Sequence, residues 1–470
     1  MGCCSSSTKV ESIDLEQVNR SAENKSSRQQ EKEKEEEEKK QKKQVETSNL
    51  ATEIKNWKTL IDTLQKNASL NAYALARKRS DFPTLDDLFA YISAYKCQNQ
   101  YEQAWLIYVW ITDNIEYNME GLLSGDLGQN DPDSLLRTGL SVCEGFARLF
   151  EQLCQVVGIE CRKISGYSKA FGYSIGDKLT KTDHAWNTIK IGGKWYYVEA
   201  TWGAGYADSV TNKNVKRFEP YWFLTPPTLF MYEHYSESCQ LQGNPITLRE
   251  FEELPKLDLK FHLYGLELLS HNSSTIVAKS ESPLLIEFFA PEQTLVMGTL
   301  KDAQSGIKVE NSVFIQRDFR DKSKYAVRIV LPRKNTFYTF WLFAKEAQSN
   351  QKTYSGVAEF RVIRNAGNEH CNTRFLETFA HTYDAYLSSP LDFNLRANQS
   401  YSFECYIKGA SDVALVDSSS VWYHFTLTNP GLMLWTLDQS ISAPGELKLY
   451  AKPSDSQDRQ FNAIARYNVI

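Results

Sequence analysis

The stretch Ser141-Val142-Cys143-Glu144-Gly145-Phe146-Ala147 decides the fold, read with Asp183-His184-Ala185-Trp186-Asn187 and Glu199-Ala200-Thr201-Trp202-Gly203. After Cys143, the residues Phe146, Leu149, Phe150, Leu153, Val156 and Val157 recur at helical spacing, and Gly158 is a stop signal. Ser141 and Glu144 fit a capping box with Ser141 as N-cap, which puts Cys143 in the first helical turn. A thiolate is stabilised at that end of the helix dipole, and the N–H groups of the turn can hold a developing oxyanion. Most free cysteines are simply small buried residues, and Cys154 and Cys161 are read that way.

His184 to Ile191 alternates as a strand does, and Gly192-Gly193 is a two-residue hairpin signal. Lys194 to Trp202 reads as the return strand. In that register Ile191 faces Lys194, Lys190 faces Trp195, Trp186 faces Glu199 and His184 faces Thr201. His184 and Glu199 are then diagonal neighbours on one face, within reach of long side chains. A lone histidine is usually structural. Here a thiol, a base and a carboxylate coincide, and nucleophilic thiol chemistry needs all three.

These blocks resemble the transglutaminase-like superfamily, in the branch that contains kyphoscoliosis peptidase and hillarin. Ile107-Tyr108-Val109-Trp110-Ile111-Thr112-Asp113-Asn114-Ile115-Glu116-Tyr117 is similar to that family's upstream helix, and Tyr221-Trp222-Phe223-Leu224-Thr225-Pro226-Pro227 to its downstream segment. The resemblance runs from about residue 70 to the C-terminus. It implies a papain-like Cys-His-acid site on Cys143, His184 and position 199. The family usually has Asp where this chain has Glu199.

The 470 residues suffice for two to four domains, and 42% hydrophobic with 13% aromatic content can build substantial cores. A formal net charge of −5 argues against a nucleic-acid partner. The nine cysteines form no CxxC pair, so neither a zinc ribbon nor a disulfide framework is expected. Scattered free cysteines without a signal peptide fit a reducing cytosol. No apolar run is long enough to span a membrane as a helix.

Met1-Gly2-Cys3-Cys4-Ser5-Ser6 fits N-myristoylation at Gly2, with Cys3 and Cys4 as palmitoylation sites. One acyl chain anchors only marginally and a second makes anchoring stable. The expected location is therefore the cytoplasmic face of a membrane, the plasma membrane foremost. From Ser21 to Asn49 the chain is almost all Glu, Lys, Gln and Ser, a charged spacer that cannot build a core. Residues 51 to 120 read as helices, with Ala104, Ile107, Tyr108 and Ile111 on one apolar face and Trp110 as a core aromatic. Gly121 to Pro132 reads as a loop without EF-hand ligand spacing, and Lys169 to Asp183 as a second polar loop. No cofactor and no metal is expected.

Beyond Pro255 short strands alternate with turns, among them Leu284 to Phe289, Phe337 to Phe343, Tyr401 to Ile407 and Glu446 to Ala451. Ser282-Pro283-Leu284 recurs as Ser389-Pro390-Leu391. Leu342-Phe343-Ala344-Lys345 recurs as Leu449-Tyr450-Ala451-Lys452, at the same offset of 107. This suggests a duplicated immunoglobulin-like sandwich. His271, His370, His381 and His424 among these strands read as structural.

The fold expected is α+β: a transglutaminase-like (papain-like cysteine protease) core, then two immunoglobulin-like β-sandwiches, behind a charged N-terminal tail that is disordered or helical. The divisions are 1–18 (anchor), 19–50 (spacer), 51–262 (catalytic domain), 263–368 and 369–470 (sandwiches). The expected function is cysteine peptidase or acyl-transferase action on protein substrates by Cys143, His184 and Glu199. The rival is a catalytically silent scaffold that binds cytoskeletal or membrane-associated proteins.

Overall fold

A computed structural model describes residues 49–208, 211–279, 283–349, 352–379, 384–454 and 460–470. Gly2, Cys3, Cys4, most of the charged spacer and His381 lie outside the described residues. The chain divides into two compact units, Met1–Asn67 and Ala68–Ile470. In the first, residues 49–66 are helical. The second contains an α+β core with an antiparallel sheet and two β-sandwiches. Among the described residues no helix is long and apolar enough to cross a membrane.

Helix α1 (Gln100–Asn114) starts where the Asn99 side chain accepts a hydrogen bond from the Glu102 N–H. The sequence offers one apolar face, yet Trp105, Leu106, Val109 and Trp110 are buried as well. A helix buried all round belongs at the centre of a domain. Trp110 is a core residue, packed edge-on against Phe82 at 5.9 Å with its Nε1 donating to the Arg77 carbonyl. The expected loop from Gly121 is shorter than read. Met119–Ser124 is helical up to left-handed Gly125, and Pro132 opens the helix Pro132–Thr138.

Helix α2 (Cys143–Val156) begins at Cys143, but the capping box does not form. Val142 stands at the N-cap without a side-chain bond. Ser141 belongs to a short strand, Leu140–Ser141, that pairs in parallel with Glu116–Tyr117. Its Oγ donates to Asn130 Oδ1 at 2.7 Å, and Glu144 pairs with Arg148 and Lys163. Tertiary pairing has taken both halves of the box. A Cβ on Gly145 would lie 2.1 Å from Ser141 Oγ, so this close approach requires glycine. α2 ends as the sequence indicates. Gly158 is left-handed (φ 75°), and the Ile159 and Gly158 N–H groups bond the Cys154 and Gln155 carbonyls in a Schellman motif.

The core sheet comprises β1 (Glu160–Ser168), β2 (His184–Ile191), β3 (Lys194–Val198), β4 (Phe223–Thr225) and β5 (His234–Tyr235), in the order β4-β3-β2-β1-β5. Gly192 and Gly193 both have positive φ, as a two-residue hairpin of primed type requires. The register Ile191–Lys194 and Lys190–Trp195 is as expected and runs to Asn187–Val198. There the ladder stops, and the chain turns into a short helix instead of continuing to Trp202. α2 packs on β2. Buried Asn187 donates from Nδ2 to the Ala147 carbonyl at 2.9 Å, and the small Ala147 and Ala185 side chains lie against Cys143.

The first sandwich pairs Lys256–Leu257, Ser355–Arg364, Phe337–Glu346 and Thr294–Asp302 in one sheet. The other sheet holds Glu267–Leu268, Leu284–Phe289, Lys324–Ile329 and Val313–Arg317. Its first sheet therefore starts at Lys256, before the division drawn at 263. The second sandwich repeats the plan with Glu377–Thr378, Asn462–Val469, Gly445–Pro453 and Ala410–Val416 in one sheet. Asp384–Ser389, Gln399–Lys408, Leu434–Ile441 and Thr426–Asn429 form the other. Leu342 pairs with Ala358, and a bulge follows before Phe343–Gly356. Leu449 pairs with Ala465, and the same bulge follows before Tyr450–Ala463, every position shifted by 107. The Ser-Pro-Leu recurrence is not part of the repeat. Leu284 opens a strand whose counterpart in pairing order is Gln399–Lys408, whereas Leu391 lies between strands.

Candidate active site

Cys143 is the first residue of α2, 9% exposed, where the helix end meets β2. His184 is the first residue of β2. The preceding Asp183 fixes that strand start, since its carboxylate accepts from the Ser168 N–H at 2.9 Å and its own N–H bonds the Gly166 carbonyl. Glu199 follows the last residue of β3 and is the N-cap of α3 (Ala200–Gly203). Its Oε1 accepts from the Thr201 and Trp202 N–H groups at 2.8 and 3.1 Å. Its Oε2 lies 2.7 Å from His184 Nε2. One carboxylate thus both caps a helix and holds the histidine ring. The pair meets although the strand pairing invoked for it ends one residue early.

The electrostatics follow from burial and charge. Burial by itself pushes the His184 pKa down, but the Glu199 carboxylate and then the Cys143 sulfur raise it well above the ordinary imidazole range. Burial by itself pushes Glu199 up, and the His184 charge and hydrogen bond bring it well below the usual carboxylate range. An ionised carboxylate beside an imidazolium is the state that favours a thiolate across the ring.

Two neighbours were not singled out in the sequence. His234, in β5, places Nε2 3.4 Å from Glu199 Oε2, and it stacks on Phe230 with ring centres 4.0 Å apart. Strand pairing brings it there, since Ser168 of β1 faces His234. Tyr117 is the second. Burial raises its phenol pKa, and Cys143, Glu199 and Asp183 add to the rise. It lay inside the quoted upstream block, but no periodicity marked it.

A cavity of about 340 Å³ opens beside His184, and its lining includes the aromatic Tyr117, Trp202, Tyr221 and Trp222 and the ionisable Lys169 and Glu233. Burial lowers the Lys169 pKa to about 7, and its ammonium donates to the Leu254 carbonyl at 2.7 Å. Burial raises Glu233 well above the carboxylate range. The cavity wall is therefore partly aromatic, and Lys169 within it titrates near neutrality.

Residues 90–200 match the family described as the transglutaminase-like superfamily, and residues 248–373 match the KY-like, immunoglobulin-like domain. The chain carries a transglutaminase-like domain. Over 264 residues it is 33% identical to kyphoscoliosis peptidase of Mus musculus, covering 55% of this chain and 38% of that protein. Over 219 residues it is 32% identical to hillarin of Drosophila melanogaster, covering 43% of this chain and 26% of that one. The chain thus spans well under half the length of these relatives. Among solved structures, one titled "Crystal structure of a TGase" is similar at 12% identity over 29% of this chain and 32% of that chain, with a TM-score of 0.21. The transglutaminase-like domain is followed by a KY-like immunoglobulin-like domain, and the relatives found include kyphoscoliosis peptidase and hillarin, as the sequence resemblance implies.

Proposed function

We propose that the transglutaminase-like domain is a cysteine acyl-transfer enzyme acting on protein substrates. Cys143 Sγ attacks a peptide or side-chain carboxamide carbonyl. His184 takes the thiol proton and passes it to the departing amine, leaving a thioester. Water then releases an acid, as in a peptidase, or a lysine amine takes the acyl group, as in a transglutaminase. Two relatives bear the name peptidase, which favours water. Glu199 orients His184 and offsets its positive charge. The observation that carries this reading is the buried 2.7 Å contact between His184 and Glu199 beside the first turn of α2. Activity profiling with a peptide-based thiol probe tests it. Cys143→Ala should abolish labelling while Cys154→Ala keeps it, and equal labelling of both would refute it.

The rival scaffold reading draws on the second duty of Glu199. Its helix-capping bonds give the residue a structural reason to be buried without catalysis. We further propose, from the Met-Gly-Cys-Cys start alone, that Gly2, Cys3 and Cys4 are acylated and hold the enzyme at the cytoplasmic face of a membrane. The sandwiches would then present cytoskeletal or membrane-associated partners.

A further inference from the structure

His184, Glu199 and His234 each bring a ligand atom within 4.8 Å of the others. Glu199 Oε2 is 2.7 Å from His184 Nε2 and 3.4 Å from His234 Nε2. The first contact is a hydrogen bond. The second lacks hydrogen-bond geometry, and among the described residues neither ring nitrogen of His234 has a hydrogen-bond partner. A buried imidazole normally satisfies at least one nitrogen. His234 is 3% exposed and surrounded by rings: Phe230 at 4.0 Å, Trp202 at 4.3 Å and Trp222 at 5.5 Å between centres.

Two imidazoles and one carboxylate suit zinc and its borderline neighbours, and they suit calcium or magnesium poorly. Metal–ligand bonds of about 2.0–2.2 Å place tetrahedral ligand atoms roughly 3.3 Å apart. The observed 2.7 and 3.4 Å lie on either side of that spacing. A three-ligand set also leaves a fourth position open. Of the three residues, His184 also lines the cavity, together with Trp202.

We propose that His184, Glu199 and His234 form a binding site for a zinc-class divalent cation, which silences the thiol site when occupied. Binding releases to solvent the proton held between His184 Nε2 and Glu199. A neutral His184 with the metal on Nε2 carries its remaining proton on Nδ1. The thiolate, now facing a neutral ring, takes a proton from solvent, and that ring has no lone pair with which to remove it again. The same ring serves either as base or as ligand.

Equilibrium dialysis of the full chain against buffered zinc tests the site directly, whether or not acyl transfer occurs. Cys143→Ser should still bind one zinc per chain, because the thiol is not a ligand. X-ray absorption should show nitrogen and oxygen neighbours with imidazole scattering. In the chain with Cys143 intact, zinc at about ten times its dissociation constant should slow haloacetamide labelling of Cys143 roughly tenfold by occupancy, and a chelator should restore it. In His234→Gln the ratio of rates with and without zinc should return to near one, whatever that variant's metal-free rate. No stoichiometric zinc in Cys143→Ser, sulfur-ligated zinc, or an unchanged ratio in His234→Gln would each overturn the proposal. If His234→Gln fails to fold, stoichiometry and ligand set in Cys143→Ser decide alone.

Discussion

His184 Nε2 and Glu199 Oε2 lie 2.7 Å apart in a buried pair, while Oε1 of the same carboxylate caps the helix Ala200–Gly203. An Asp here would be one methylene shorter and would have to meet both demands with less reach. Glutamate at position 199 is therefore compatible with an oriented histidine, through a geometry that couples the ring to a helix end.

The tether between Asn187 and the Ala147 carbonyl holds α2, which carries Cys143, on β2, which carries His184. Asn187→Ala should cost about 1–3 kcal/mol by leaving a buried interaction unmade. It should also slow haloacetamide labelling of Cys143. Denaturant unfolding and labelling rate, read on one sample, check this. Lost stability with unchanged labelling would make the tether purely structural.

Leu342 and Leu449 occupy equivalent places beside the same bulge in the two sandwiches and are 1% and 2% exposed. Each Leu→Ala substitution should destabilise its own sandwich by about 2–5 kcal/mol. Hydrogen exchange resolved by domain should show each loss confined to the mutated sandwich. A loss spread evenly over both would mean that the repeats do not fold as separate cores.

If Gly2 is acylated, Gly2→Ala should move the full chain from the membrane pellet to the soluble fraction. Replacing Cys3 and Cys4 together should leave weak, reversible binding, since one myristoyl chain is marginal. An unchanged pellet after Gly2→Ala would remove the anchor.

What the sequence revealed was local. The helix after Cys143, its stop at Gly158 and the hairpin register through Asn187–Val198 rest on periodicity and turn chemistry, and the structure has all three. The misses are tertiary. Ser141 is drawn into pairing with Glu116–Tyr117, so it cannot cap. The return strand ends at Val198 because the Glu199 side chain satisfies the N–H groups of a new helix. His234 sits on a two-residue strand, too short for any periodic signal, and only its pairing with Ser168 brings it to the site. In the sandwiches, the recurrence around Leu342 and Leu449 marks real equivalence because it falls inside a strand and its bulge. In the Ser-Pro-Leu recurrence Leu284 opens a strand whereas Leu391 lies between strands, so the two do not correspond.

The central claim is that Glu199 acts through His184 on Cys143. Glu199 and Cys143 raise the folded-state His184 pKa above its ordinary value, so the imidazolium persists until pH rises through that raised value. Below it, the charged ring favours the thiolate. Glu199→Gln removes the charge, and its amide can donate to Nε2, moving the ring proton to the other nitrogen. The most direct measurement is the rate of haloacetamide labelling of Cys143 against pH in wild type and Glu199→Gln side by side, with thermal unfolding as the control for the lost cap. The account predicts onset at lower pH in wild type than in Glu199→Gln. Superimposable curves from two folded proteins, with only His184→Ala shifting the onset, would contradict it.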